Sequence, residues 1–195
     1  LLANAAQSYQ WITDIHRNHD VVMGVLPFFH SYGMSSCHHL AIMSRAELIL
    51  EPRFNPGRVL SLLRRHNVTY YPGVPTMFKA IIQKLKNKPV ELPALQVCIS
   101  GGAPLPVHVK DDFEELTHGK LVEGYGLTEA SPITHCNPIN GVNKAGSIGI
   151  PLPGTEARLI DTDAGTLASP TSVGELQVRG PQVMLGYWQA PHATA

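Results

Sequence analysis

The chain has 195 residues, which suits one large domain or a domain with part of a second one. It is 44% hydrophobic and 15% charged, so it can bury a core and is not a disordered chain. Fifteen basic residues balance fifteen acidic ones, so no net field attracts nucleic acid, and we do not expect a nucleic-acid binder.

Short apolar segments alternate with helical patterns through the first two thirds of the chain. Helices are predicted over 1–16, 31–46, 55–67, 75–87 and 105–117. Strands are predicted over 20–29, 47–50, 68–74, 95–100 and 119–125. This alternation predicts an α/β fold, with a mostly parallel sheet that helices cover on both faces.

The sequence changes in character after about Pro132, where glycine and proline become frequent. The segments "EARLID" and "GELQVRG" alternate apolar and polar residues, which is typical of antiparallel strands with one solvated face. We therefore predict an α/β subdomain over 1–140 and a partial antiparallel β-barrel or sandwich over 141–195.

Cysteine usage and the first residues indicate the cellular compartment. Cys37, Cys98 and Cys136 have no CxxC spacing, which favours a reducing compartment over a disulfide framework. The first ten residues lack the basic and apolar regions of a signal peptide. We expect a cytoplasmic protein.

Four segments lie where predicted strands end: "PFFHSYG", "YYPGVPT", "SGGAPLP" and "EGYGLTE". Ligands of open parallel sheets bind beyond the carboxyl ends of the strands. One such loop is common, whereas four in one sheet predict a binding site.

The two glycine-containing loops suggest a nucleotide. Gly101 and Gly102 permit close approach of a ligand, although the same pair also suits a tight turn between strand and helix. In "EGYGLTE", the glycines beside Tyr125 leave room for a flat base against the ring or backbone. Thr128 and Glu129 could hold a phosphate oxygen and Mg²⁺; the alternative is a helix cap and a first-turn carboxylate.

Histidines give a weaker signal. His30 follows an apolar segment at a strand end, where it could orient a carboxylate or stabilise developing charge. A packed core histidine is the alternative. The "CHH" and "HC" pairs at 37–39 and 135–136 match no metal-ligand spacing.

Six ordered motifs resemble those of the adenylate-forming enzymes, which include acyl-CoA synthetases, luciferases and adenylation domains. They are "LPFFHSYGM", "YYPGVPTMF", "ISGGAPLP", "EGYGLTEASP", "GSIGIPLPGTEARLID" and "GELQVRGPQVMLGYW". The bacterial long-chain fatty-acid–CoA ligases are the most similar group. Such enzymes join ATP and an acid into an acyl-adenylate, and coenzyme A then displaces AMP.

The resemblance implies a role for each matching residue. The implied catalytic residues are His30, Thr128 and Glu129, with Glu129 also the Mg²⁺ ligand. The implied nucleotide-binding residues are Gly101, Gly102, Ala103, Glu123, Gly124, Tyr125, Gly126, Leu127 and Thr128. The implied acyl-binding residues are His30, Tyr71, Gly73, Val74, Gly102 and Leu127.

The family pattern extends beyond this chain at both ends. Its upstream phosphate loop and its downstream ribose-binding aspartate and lysine-bearing domain find no match here, so we expect a central fragment that makes no acyl-CoA by itself. Fatty acid, ATP and coenzyme A are the expected partners, and a homodimer and peripheral membrane contact stay open. Two other hypotheses also stay open: an adenylating domain for aryl or amino acids, and a non-catalytic nucleotide-binding domain.

Overall fold

A seven-stranded sheet forms the centre of the molecule. The computed structural model describes residues 1–12 and 20–194. The strands are β1 (Val21–Gly24), β2 (Glu47–Leu50), β3 (Tyr70–Gly73), β4 (Val97–Ser100), β5 (Lys120–Gly126), β6 (Ile133–Cys136) and β7 (Ile150–Pro151). Their order is β2-β1-β3-β4-β5-β6-β7, with β1 to β5 parallel and β6 and β7 antiparallel.

The strand order places a crevice above the centre of the sheet. From β1 the chain crosses outward to β2 and then returns to β3 on the other side of β1. The loops that follow β1 and β3 therefore leave in opposite directions, and ligands of such sheets bind at this switch point. The loops after β4 and β5 border the same edge.

Helices cover both faces of this sheet, as predicted. They are α1 (Leu2–Trp11), α2 (Ser31–Gly33), a π-helical turn (Met34–His39), α3 (Leu40–Ser44), α4 (Pro56–Arg65), α5 (Pro75–Asn87) and α6 (Val107–Thr117). A 3₁₀ turn (Thr128–Ala130) and α7 (Pro191–Thr194) follow. Helix α5 packs between α4 and α6, while α1 packs on α3 and the π-helical turn. Right-handed crossovers put these two groups on opposite faces.

Local sequence explains where helix α4 begins and how it packs. Asn55 accepts a hydrogen bond from the backbone N–H of Arg58 at 3.0 Å, and Pro56 occupies the first turn. The residues predicted to share one face of α4 and of α5 are all buried: Val59, Leu62, Leu63, Met77, Ile81 and Leu85. The sequence pattern therefore gave the correct faces for both helices.

The largest differences between predicted and observed lengths concern two elements. The strand predicted over 20–29 ends at Gly24, because the chain turns at Pro27, whose carbonyl accepts a hydrogen bond from His30. The helix predicted over 1–16 is confirmed from Leu2 to Trp11, and residues 13–16 lie outside the described residues.

The C-terminal part contains a small antiparallel sheet, as predicted. Strands β8 (Glu156–Ile160) and β9 (Glu175–Arg179) pair with each other and with no other described strand. The expectation that one face is buried is wrong for this chain, since β8 is exposed along most of its length and Leu159 is 37% exposed. The α/β fold class with this antiparallel addition is confirmed.

No helix within residues 1–12 and 20–194 is long and apolar enough to cross a bilayer.

Three aromatic rings pack in series between β3 and helices α5 and α6. Phe78 makes edge-to-face contacts with Tyr71 and Phe113, at centroid distances of 5.4 and 5.1 Å. All three side chains are fully buried. Edge-to-face pairs add about 0.5–1.5 kcal/mol each beyond the area they bury.

We expect Phe78→Ala to lower the free energy of unfolding by about 3–5 kcal/mol, because it leaves a cavity among these rings. Urea denaturation followed by circular dichroism measures the change. Phe29→Ala is the matched control, since Phe29 is 94% exposed and should change stability by less than about 0.5 kcal/mol. Equal losses in the two variants would contradict this description of the core.

Candidate active site

One cleft of about 210 Å³ opens where β1, β4 and β5 end. Its lining includes many of the residues predicted from the sequence: His30, Gly101, Gly102, Gly124, Tyr125, Gly126, Leu127 and Thr128. Residues from three of the four predicted loops, separated by up to about a hundred positions in sequence, therefore share one cavity. The prediction of convergence is confirmed for these three loops, whereas no residue of "YYPGVPT" lines the cleft.

His30 lies at the mouth of the cleft and caps helix α2. Its Nδ1 accepts a hydrogen bond from the backbone N–H of Tyr32 at 3.1 Å. In the neutral imidazole this bond places the ring proton on Nε2. The exposed side chain is thus oriented by its own helix and has an N–H donor available for a ligand.

Tyr32 holds the floor of the cleft together. Its buried hydroxyl lies 2.8 Å from the carbonyl of Ile99 and 3.3 Å from that of Gly73. These carbonyls belong to β4 and β3, so one side chain connects the loop after β1 with the ends of two other strands. Burial raises the pKa of Tyr32 well above its usual value, and the phenol stays neutral.

The "SGG" turn needs both of its glycines. An ideal Cβ on Gly101 would lie 3.0 Å from the Tyr32 ring, so a side chain there would push this ring aside. Gly102 has a φ of 80° and is exposed, which leaves its backbone open to a ligand. The half-buried Val74 lies beside it, with Cγ1 3.6 Å from the ideal Cβ position.

Tyr125 is held by the reversal of the chain between β5 and β6. An ideal Cβ on Gly126 would lie 1.9 Å from the Pro132 carbonyl oxygen, which also accepts a hydrogen bond from Leu127 N–H at 2.9 Å. Tyr125 is 39% exposed, and its ring contacts His135 in an edge-on arrangement at 6.2 Å. The glycine thus allows the close backbone approach that presents the ring to the cleft.

Polar contacts connect the two sides of the cleft. The hydroxyl groups of Ser31 and Thr128 lie 3.4 Å apart, and Ser35 donates a hydrogen bond to the carbonyl of Ser131 at 2.9 Å. The helical segment after β1 and the turn after β5 therefore form one wall.

Comparison with known proteins identifies the chain. A model of the AMP-binding enzyme family matches residues 1–188. The chain belongs to the AMP-binding enzyme family. It is 44% identical over 195 residues to a long-chain-fatty-acid–CoA ligase of Bacillus subtilis, and 35% identical over 201 residues to a probable 4-coumarate–CoA ligase of Dictyostelium discoideum.

A solved structure, ATP-bound MatB from Rhodopseudomonas palustris, is 30% identical with a TM-score of 0.82. That alignment covers 98% of this chain and 38% of MatB. Both sequence relatives are matched over all of this chain, which spans about 35% of their length.

Glu129 lies next to the cleft rather than in its lining. Its carboxylate accepts a hydrogen bond from the Tyr187 hydroxyl at 2.5 Å, and its carbonyl accepts one from Met184 N–H at 2.7 Å. The hydrogen bond from Tyr187 lowers the pKa of Glu129, so the carboxylate is ionised at neutral pH.

Five other predicted residues do not line the cleft. Tyr71 and Gly73 face the Phe78 ring, which lies 3.1 Å from the ideal Cβ position of Gly73. Val74 and Ala103 lie beside Gly102, Val74 in contact with it and Ala103 next in sequence and exposed. Glu123 is half-buried in β5, and burial raises the pKa of its carboxyl group.

Five lining residues were not predicted from the sequence: Ser31, Tyr32, Ile99, Pro132 and Ile133. The first two lie in the quoted "PFFHSYG" segment and could have been found there. Ile99 and Ile133 are apolar residues within strands, where the sequence distinguishes a core position from a cleft wall poorly.

The protein offers a cation one carboxylate next to the cleft, that of Glu129, rather than a complete set of ligands. Among the described residues no three His, Cys, Asp or Glu side chains form a group that could hold a metal ion. Glu129 is a single ionised oxygen donor with the Thr128 hydroxyl next to it. Mg²⁺ is usually held by one or two carboxylates together with substrate phosphates and water, so this donor set fits a nucleotide-bound Mg²⁺.

We expect Gly126→Ala to lower the free energy of unfolding by about 1–3 kcal/mol, because the new Cβ collides with the Pro132 carbonyl. Urea denaturation provides the measurement. Gly57→Ala is the matched control: its Cβ would meet Asn55 at 3.4 Å within helix α4, and stability should stay constant or rise by up to about 1 kcal/mol. A Gly126→Ala variant as stable as the parent would refute the close backbone contact.

Proposed function

We propose that this chain is the central part of an ATP-dependent acid–CoA ligase that activates a long-chain fatty acid through an acyl-adenylate. The observation that supports it is the single cleft that combines Tyr125, the open backbone of Gly102, the Thr128 hydroxyl and the donor of His30. Family membership and the names of the relatives agree with this proposal. ATP, the acid and coenzyme A are its proposed small-molecule partners.

The nucleotide would bind across the loops after β4 and β5. The adenine would stack on the exposed Tyr125 ring, in space that Gly124 and Gly126 leave free. Gly101, Gly102, Ala103, Glu123 and Leu127 would border this pocket. The Thr128 hydroxyl would donate to a phosphate oxygen, which is the contact a neutral donor makes best at that position.

The proposed reaction has two steps. In the first, a carboxylate oxygen of the acid attacks the α-phosphorus of ATP, an oxygen–phosphorus bond forms, and the bond to the β-phosphate oxygen breaks to release pyrophosphate. In the second, the thiolate of coenzyme A attacks the acyl carbon, and the carbon–oxygen bond to AMP breaks. His30 would bind the acid with its Nε2–H and stabilise the charge on the reacting carboxylate.

Glu129 and the nucleotide phosphates would together hold Mg²⁺. When bound, Mg²⁺ neutralises phosphate charge and polarises the phosphoryl group. The lowered pKa of Glu129 keeps this ligand ionised at neutral pH.

The acid would enter between the loops after β3 and β4, beside Tyr71, Gly73, Val74 and Gly102. Ile99, Leu127, Pro132 and Ile133 give the cleft apolar surface, which favours an apolar acid. A second candidate is an aryl acid, which the name of the Dictyostelium discoideum relative supports. The two named relatives act on one acid of each kind, as their names state.

We expect Glu129→Gln in the intact protein to reduce acid-dependent ATP–pyrophosphate exchange by about 10²–10³-fold, because Mg²⁺ loses its protein carboxylate. Exchange of labelled pyrophosphate into ATP measures this step. The matched control is Glu91→Gln, an exposed carboxylate outside the cleft, which should exchange at the parent rate.

Hydroxylamine trapping of the acyl-adenylate across acids of increasing length separates the substrate classes. Preferential trapping of long-chain acids supports the fatty-acid assignment, and preferential trapping of aryl acids replaces it with the second candidate. Magnesium-independent ATP binding without exchange, unaffected by Glu129→Gln, would indicate a non-catalytic nucleotide-binding domain instead.

A further inference from the structure

The segment that follows β9 forms two hydrogen bonds with Glu129. The Tyr187 hydroxyl donates to Oε1 of the carboxylate, and Met184 N–H donates to the carbonyl of the same residue. The two partners are 58 and 55 positions away in sequence, so folding and not local structure creates this contact. Side chain and backbone of Glu129 are thus fixed by one neighbouring segment.

A buried glutamine anchors that segment two residues before Met184. Gln182 is 1% exposed and donates a hydrogen bond to the Thr155 hydroxyl at 2.6 Å. The side-chain Oε1 of Gln182 accepts a hydrogen bond from the side-chain amide of Gln7 in helix α1 at 3.1 Å. The Gln7 amide also donates to the Pro153 carbonyl at 2.8 Å. A buried amide that lost these partners would cost about 1–3 kcal/mol, so the segment stays in register.

A turn fixes Tyr187 from its other side. Its backbone N–H donates to the Thr194 hydroxyl at 2.9 Å, and that hydroxyl donates to the Ala190 carbonyl at 3.0 Å. Gly186 adopts a φ of 148°, and an ideal Cβ there would lie 2.5 Å from Thr194 Cγ2. The backbone of Tyr187 is therefore fixed, and its side chain extends from a defined position to Glu129.

We propose that Tyr187 is a positioning residue that holds the Glu129 carboxylate for the magnesium–nucleotide complex. This inference rests on the proposed role of Glu129 and goes beyond it, because Tyr187 lies outside the cleft lining. One carboxylate oxygen is engaged by the phenol, and the other is left for the cation. Without the phenol, the Glu129 carboxylate would sample several rotamers. Only some of these rotamers could bind the cation, so its affinity would fall.

A Tyr187 phenol that blocked the Glu129 carboxylate, instead of positioning it, would change magnesium-dependent ATP binding in the opposite direction. If the phenol blocked the carboxylate, its removal would strengthen magnesium-dependent binding. The sign of the effect therefore decides between positioning and blocking.

The test is Tyr187→Phe in the intact protein, which removes only the hydroxyl group. Isothermal titration with ATP, without acid or coenzyme A, gives the affinity with Mg²⁺ and with EDTA, so no turnover is involved. We expect the gain in ATP affinity that Mg²⁺ provides to fall about tenfold, the lower end for a hydrogen bond to a charged group. Affinity in EDTA should stay constant.

Tyr70→Phe is the matched control, because the buried Tyr70 hydroxyl has no hydrogen-bond partner among the described residues. It should leave both affinities unchanged. In a double-mutant cycle, Tyr187→Phe should have no further effect once Glu129→Gln is present, which a purely structural role would not produce.

The outcomes separate the two proposals. If Glu129→Gln leaves the magnesium dependence intact, the proposed role of Glu129 fails, and this inference fails with it. If Glu129→Gln removes that dependence while Tyr187→Phe leaves it unchanged or strengthens it, the role of Glu129 stands and the positioning role of Tyr187 is refuted.

Discussion

The cleft depends on the buried hydroxyl of Tyr32. Among the described residues, only the Tyr32 side chain hydrogen-bonds to the ends of both β3 and β4. Tyr32 lies in helix α2, which follows β1. Each such bond contributes only about 1 kcal/mol, but a phenol buried without a partner would cost more. The free-energy cost of leaving the Tyr32 hydroxyl buried without a partner therefore maintains the geometry of the cleft floor. The glycine at 101 reinforces the constraint, because a larger residue would displace the ring.

A second polar contact region connects the ends of the chain to this centre. Asn4 of helix α1 donates to the carbonyl of Ile133 at 2.7 Å and accepts from its N–H at 3.1 Å, which fixes α1 to β6. Gln7 and Gln182 extend the network to the segment that carries Tyr187. Helix α1 therefore holds Ile133, a lining residue, in place, although α1 itself supplies no side chain to the cleft.

Much of the fold was predictable because parallel strands and amphipathic helices have strong periodic signals. The buried faces of α4 and α5 and the convergence of three of the four strand-end loops followed from the pattern alone. The long-range contacts did not, since nothing near Glu129 in the sequence points to Tyr187, and nothing in "VCIS" distinguishes Ile99 as part of a cavity. The expected buried face of β8 also failed, because alternation reports the chemistry of a strand and not whether another surface covers it.

The rings of Tyr71, Phe78 and Phe113 pack in series where β3 meets helices α5 and α6. Residues after β1 and at the ends of β4 and β5 line the cleft, and none of the three rings does. A smaller side chain at Phe78 would leave a cavity next to Gly73 and weaken the packing against β3. These rings therefore stabilise β3 without contributing any surface to the cleft.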